Sequence, residues 1–278
     1  MIQLLLSDLD ETLLNDDGTI NDENISAIKK FTDKGGFFVP NTGRSYRSVY
    51  PTLKTLGLDQ KKQFVISYNG GAIAEVEPNG ETKIIVQHGM QLDLAKTIFK
   101  LGQVQEDVDT HIYTLDKLFI HNISESDKKY MSERQVPYSE QLTDSLDFLN
   151  QEKPVMKVIF EHNDPIVRQK IADAVTSQVS QDVSLTFSSN RYVEFNPKGV
   201  DKGSTGLELA KLLGIDKQNV AAIGDSLNDL AQIEKAGVGV AVANAKEEIK
   251  LLADIVLKTT NNQAAVADFI LNYSGISL

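Results

Sequence analysis

The sequence predicts an α/β protein with a three-layer, parallel-sheet core that is interrupted by an inserted α+β module. Three observations carry that expectation. Short apolar runs alternate with amphipathic stretches from Met1 to about Ile73, and again from about Gly203 to Tyr273, which is the pattern of strands joined by crossover helices. Between about Thr82 and Arg191 the pattern shifts to strand pairs with helices between them. The length, 278 residues, is also long for one compact domain. Residues 1–82 and 192–278 are expected to form the core, and residues 83–191 the insertion.

Each element has its own reason. Ile2 to Leu6 reads as a buried strand, being short, continuous and apolar, with acids and turn residues after it. Asn21-Asp22-Glu23 opens a helix carrying Ile25, Ile28 and Phe31 on one face, and Gly35 sits where a left-handed residue would end it. Gly36 to Val39 is a second strand, Ser45 to Leu56 a helix interrupted at Pro51, and Phe64 to Ser67 a third strand of the same parallel sheet. In the middle, strands are expected at Lys83 to Gln87, on both sides of Asp116-Lys117, at Val155 to Glu161, and as a closing pair at Val183 to Phe187 and Tyr192 to Phe195. Helices are expected at Leu92 to Leu101, near Asp127 to Glu133, and at Pro165 to Val179. The first pattern then returns. Helices at Gly203 to Leu213, Leu227 to Ala236, Glu247 to Ala253 and Ala264 to Tyr273 alternate with strands at Val220 to Ile223, Val238 to Val242 and Asp254 to Leu257.

Composition removes several function classes. There is no cysteine, so disulfides, thiolate nucleophiles and Cys-ligated zinc or iron-sulfur sites are excluded. The net charge of -11, with no run of Lys or Arg, argues against general nucleic-acid binding. The apolar stretch Ile2 to Leu6 is too short for a signal-peptide core, and no stretch approaches a membrane span. A cytoplasmic protein without a membrane partner is the expectation.

Four motifs could carry chemistry. Asp8-Leu9-Asp10-Glu11-Thr12 follows the first strand, at the carboxyl edge where open parallel sheets bind ligands. Acids after a strand often mark only a solvated turn, but two carboxylates held together repel unless a cation joins them. Hard divalent ions such as Mg²⁺ take oxygen ligands and leave room for a phosphate. Gly224-Asp225-Ser226-Leu227-Asn228-Asp229 also follows an apolar strand. An N-cap would explain one of its residues. If its edge adjoins the first, Asp225 completes a carboxylate set and Asp229 can orient the metal's waters. Asn41-Thr42-Gly43-Arg44 offers a hydroxyl and backbone N–H groups as an anion cradle, although Asn and Gly are turn residues in any case. Lys202 lies between Gly199 and a helix that opens at Gly203, where its charge could balance phosphoryl oxygens and acids.

In this order, Asp8-x-Asp10-x-Thr12, Thr42-Gly43-Arg44, Lys202 and Gly224-Asp225-x-x-Asn228-Asp229 resemble the haloacid dehalogenase superfamily. The position of the insertion is similar to the Cof-type branch with its type IIB cap, as are Asn69-Gly70-Gly71 and the segment Val240 to Ala245. Three positions depart from that pattern: Glu11, where Gly is usual, and Asn41 and Gly71, where Ala is common.

The resemblance implies a Rossmann-like core and a Mg²⁺-dependent phosphatase acting on small phosphorylated metabolites such as sugar phosphates. It assigns Asp8 as nucleophile and Asp10 as acid and base, a division that spacing alone does not make. It implies a metal held by the Asp8 carboxylate, the Asp10 backbone carbonyl and Asp225, with Asp229 behind them. Thr42, Lys202, Asn228 and the N–H groups of Leu9 and Gly43 would hold the phosphoryl oxygens, and Arg44 would contact the substrate or the cap. Two alternatives use the same residues: a sugar phosphomutase, and a non-catalytic switch carrying phosphate on Asp8. The histidines His88, His111, His121 and His162 follow no metal-ligand spacing, and Tyr113, Phe119, Phe160 and Phe195 read as core.

Overall fold

A computed structural model describes residues 1–275 apart from 135, 153 and 189. The chain divides into two compact units, one made of Met1–Gln87 and Asp201–Leu278, the other of His88–Val200. In the first unit the chain forms β1 (Leu4–Ser7), α1 (Asp22–Asp33), β2 (Phe37–Pro40), α2 (Tyr46–Thr55), β3 (Gln63–Ser67), β4 (Ala72–Val76) and β5 (Thr82–Gln87). The second unit contains α3 (Leu92–Gly102), β6 (Asp109–Thr114), β7 (Leu118–His121), α4 (Glu125–Glu133), β8 (Ser139–Gln141), β9 (Val155–Glu161), α5 (Pro165–Val179), β10 (Val183–Ser188) and β11 (Tyr192–Pro197). The chain then returns with α6 (Lys202–Leu212), β12 (Val220–Gly224), α7 (Leu230–Lys235), β13 (Val238–Ala241), α8 (Glu247–Leu252), β14 (Ile255–Val256) and α9 (Ala265–Tyr273).

The first unit is built on a five-stranded parallel sheet ordered β14-β13-β12-β1-β2. All residues of β1 and β12 are buried, as befits central strands covered on both faces, which show a continuous apolar run and no alternation. Leu4, Leu6, Val220 and Ala222 pack with Leu209 and Ala210 of α6 and with Ile66 and Ile73. Helix α1 packs against α9. Its expected apolar face is present at Ile28 and Phe31, but Asn24 is buried there and Ile25 only partly. The Asn24 side chain is the polar exception with a purpose: its Oδ1 accepts from the Ala267 amide of α9 at 2.8 Å.

Three expectations need correction. Strand β3 pairs antiparallel with β4, in a separate sheet ordered β3-β4-β5, and is joined to the end of β2 by the isolated parallel bridge Asn41–Ile66. Strand β4 is hidden in the sequence because Ala72, Ala74 and Glu75 lack the branched or aromatic side chains that mark strands. The unit boundaries also move. β5 pairs with β4 and stays with the first unit, while β11 pairs with both β10 and β9 and belongs to the second. The division at 82 and 191 becomes one at 87 and 200 because ladders, not composition, hold these strands. Finally, α2 runs through Pro51 without interruption, with Ser45 as its N-cap.

The second unit carries a sheet ordered β10-β11-β9-β6-β7-β8. Phe160 and Phe195 are fully buried in its core with Ile98, Phe99, Ile171 and Val175 from α3 and α5. Buried His111 meets Asp127 at 2.7 Å, and the Tyr192 hydroxyl donates to the other Asp127 oxygen at 3.0 Å. Helix α3 can approach the sheet because it ends in Gly102: a Cβ there would stand 2.0 Å from the Phe160 ring. Gly102→Ala is therefore expected to destabilise the protein by about 1–3 kcal/mol through overpacking. A lower urea midpoint with unchanged slope checks this.

Candidate active site

Parallel pairing decides where the motifs meet. Ser7 pairs with Ile223 and with Pro40, so Asp8, Asp225 and Asn41 leave three adjacent strands at one edge of the sheet. The amino end of α6 delivers Lys202, and Asp201 caps that helix by accepting from the Ser204 amide at 2.7 Å. Gly203 permits the approach, since a Cβ at that position would stand 2.1 Å from the Ala231 carbonyl oxygen.

Lys202 is fully buried, and its ammonium donates to Asp8 Oδ1 and Asp229 Oδ1, each at 2.7 Å. Asp229 is saturated. Its Oδ1 also accepts from Gln232 Nε2 at 2.8 Å, and its Oδ2 accepts from the amides of Asp225 and Ser226, each at 3.0 Å. Those last bonds draw Leu227–Asp229 into a 3₁₀ turn, so the helix expected from Leu227 begins as α7 at Leu230. Thr12 joins the two acidic motifs by donating to Asp225 Oδ1 at 2.8 Å.

The electrostatics are unbalanced. One carboxylate oxygen from each of Asp8, Asp225 and Asp229 falls within 4.8 Å of the others, and Lys202 forms an ion pair with two of the three, Asp8 and Asp229. Burial, then the charge of Asp229, pushes the Asp8 carboxyl up to about 7 against the pull of Lys202. Burial and the charges of Asp229 and Asp8 push Asp225 up to about 9. Burial disfavours the charged form of Lys202, but Asp229 and Asp8 outweigh it and raise that group. Asp8 Oδ2 and Asp225 Oδ2 accept no hydrogen bond from the described residues. An oxygen-only donor set with surplus negative charge and unengaged oxygens fits a hard divalent cation. Asp229 does not fit as a direct ligand, because four donors already hold it.

The other expected residues take these places. Asp10 is exposed and forms a two-pronged pair with Arg44, with Arg44 Nε 2.9 Å from Asp10 Oδ2. Thr42 is buried and accepts from the Arg44 amide at 3.1 Å. The N–H groups of Leu9 and Gly43 donate to no described residue. Asn228 donates to Asn69 Oδ1 at 3.3 Å. Glu11 adopts a left-handed φ of 57°, the conformation that makes glycine the usual choice there, and its carbonyl accepts from Asn244 at 2.7 Å. Sequence reasoning missed Gln232, which looks like any polar residue of a helix. It noted Asn41 as a turn residue of the third motif and as a departure, with no role of its own, yet both are buried in contact with the charged cluster.

A family model described as haloacid dehalogenase-like hydrolase matches residues 5–270. The chain belongs to that family. A 5-amino-6-(5-phospho-D-ribitylamino)uracil phosphatase of Bacillus subtilis is 29% identical over 259 residues, covering 93% of this chain and 90% of its own. Another B. subtilis phosphatase is 29% identical over 296 residues, covering 96% and 98%. Among solved structures, a haloacid dehalogenase-like hydrolase from B. subtilis superposes with a TM-score of 0.82 at 25% identity, covering 98% of this chain and all of its own. A subclass IIB sugar phosphatase of the superfamily shares the fold at a TM-score of 0.83 and 18% identity, over 99% and 100% of the two chains. With relatives named as phosphatases along almost its whole length, this hydrolase is a phosphatase. Among the described residues, no helix is long and apolar enough to cross a membrane.

The raised acids give a pH prediction with a definite sign. Carboxyls at 3.8 in the unfolded chain and about 7 and 9 in the folded one bind protons more tightly when folded. Their contribution to stability is therefore present at low pH and lost as pH rises through that window. In chelator, the unfolding free energy is expected to fall between pH 5 and about 9. Asp225→Asn should flatten the upper part of the fall, as read from denaturant titrations at several pH values.

Proposed function

We propose that this phosphatase hydrolyses small phosphate monoesters, sugar or polyol phosphates above all, through an aspartyl-phosphate on Asp8 with Mg²⁺ as its metal. The observation that carries this reading is the salt bridge from Lys202 to Asp8 Oδ1, which leaves Asp8 Oδ2 without a partner among the described residues at the sheet edge. The Asp8 carboxylate, the Asp10 carbonyl and Asp225 would hold Mg²⁺, which supplies positive charge to phosphoryl oxygens.

The remaining work falls to the chain. Phosphate monoesters are slow to hydrolyse, so positioning and charge neutralisation are the main demands. Asp8 attacks phosphorus in line, the new O–P bond forms, and the ester O–P bond breaks toward the leaving alkoxide. Asp10 gives that alkoxide a proton, then takes one from the water that cleaves the acyl phosphate. Arg44, paired with Asp10, orients that carboxyl. Lys202, Thr42, Asn228 and the N–H groups of Leu9 and Gly43 hold the phosphoryl oxygens, with Asp229 fixing Lys202 from behind. The inserted unit, His88–Val200, is read as the cap that selects the leaving group. Relatives named for a phosphoribityl compound and a sugar phosphate favour a polyol-like ester.

Purified protein with Mg²⁺ is expected to release inorganic phosphate from an aryl phosphate without any bisphosphate activator, which also separates it from a mutase. Chelation should abolish turnover, and Asp8→Asn should lower kcat by about 10³-fold or more. Full activity in Asp8→Asn would refute the mechanism.

A further inference from the structure

We infer that Asn41 and Gln232 are positioning residues, which set the place of Lys202 and Asp229 through a closed ring of buried hydrogen bonds. Asn41 Nδ2 donates to the Lys202 backbone carbonyl at 3.0 Å and to Gln232 Oε1 at 2.9 Å. Gln232 Nε2 donates to Asp229 Oδ1 at 2.8 Å, the atom that also receives the Lys202 ammonium at 2.7 Å. The ring thus grips Lys202 at both ends, main chain and side chain. All four residues are fully buried, so no water competes for these bonds.

The polarity of the ring is fixed by its ends. A carbonyl and a carboxylate only accept, so the amide nitrogens of both side chains must face them, and the Gln232 oxygen is left to face Asn41. Neither residue can turn without losing bonds. Asn41 joins the end of β2 to α6 and α7, and an alanine at that position could form none of these bonds. Asn41 Oδ1 is buried with no hydrogen-bond partner among the described residues. A buried amide that leaves its own oxygen unpaired carries a penalty, which its two donated bonds must outweigh.

The inference rests on the proposed roles of Asp8 and Lys202. Asp229 Oδ1 is the fixed point from which the ammonium reaches Asp8. Without the Gln232 donor, that carboxylate can rotate about its remaining partners, and Lys202 follows it. A displacement of that kind lowers turnover more than substrate binding.

A variant set separates positioning from stability. Asn41→Ala and Gln232→Met are each expected to lower kcat on an aryl phosphate about tenfold or more, with KM within about threefold. Each also lowers Tm, because one buried partner is left unpaired. The double variant removes both sides of the amide pair, so its loss of Tm should be smaller than the sum of the two single losses, since neither partner of that pair is left behind. Its kcat, referred to the folded fraction measured by circular dichroism in the same sample, should stay low. A double variant with kcat within about twofold of the parent, whatever its Tm, would show the ring to be structural only and overturn the inference. A parent protein without Mg²⁺-dependent turnover would overturn the proposed function itself, and the ring's catalytic role with it.

Discussion

Lys202 bridges two buried carboxylates, and the arrangement around the sheet edge depends on that contact. Bringing an ammonium and three acids out of water costs several kcal/mol per ion, and their mutual attraction returns that only when the geometry is tight. Here the bridge is short on both sides, 2.7 Å to Asp8 and 2.7 Å to Asp229. Even so, one ammonium faces three carboxylates, and burial together with the charge of Asp229 raises the carboxyls of Asp8 and Asp225. A stable core would not choose this composition. A site that must attract a cation and a phosphoryl group together has reason to keep it.

Asp229 explains how such a cluster stays ordered. With four donors on its two oxygens, it acts as an anchor that couples the turn after β12 to the start of α6. The neighbouring acids keep oxygens free because Asp229 has none. Two carboxylates separated by only three residues thereby take opposite roles, one saturated and one available. Their difference comes from which backbone amides the turn presents, not from the residue type.

Much of this was legible in the chain. The buried strands β1 and β12 could be read because central parallel strands are apolar throughout, and Asp8 and Asp225 because their motifs follow such strands in one ordered set with Thr42 and Lys202. Relations between elements were less legible. β3 reads identically whether it extends a parallel sheet or opens a hairpin, and only its pairing with β4 decides. The boundary after β11 fell in the wrong place because a hairpin looks the same from either side of a domain junction. Gln232 was invisible for a different reason: a polar residue on a helix is ordinary, and only the fold shows that its face turns inward onto Asp229.

The order of the strands also governs when the molecule can come to exist. Thr12 and Asp225, joined by one hydrogen bond, stand 213 positions apart in the chain. The central strand β1 is made before the inserted unit but finds its β12 neighbour only after the whole of that unit has been made. The second unit has its own sheet and core and can complete itself during that wait, while β1 and β2 hold an open, apolar edge. Long-range pairing of this kind is slow and exposes strands to aggregation. The same delay means that no nascent chain lacking β12 and the turn after it carries the assembled acid cluster. Hydrolytic capacity therefore arises at once, when the second half of the sheet closes on the first.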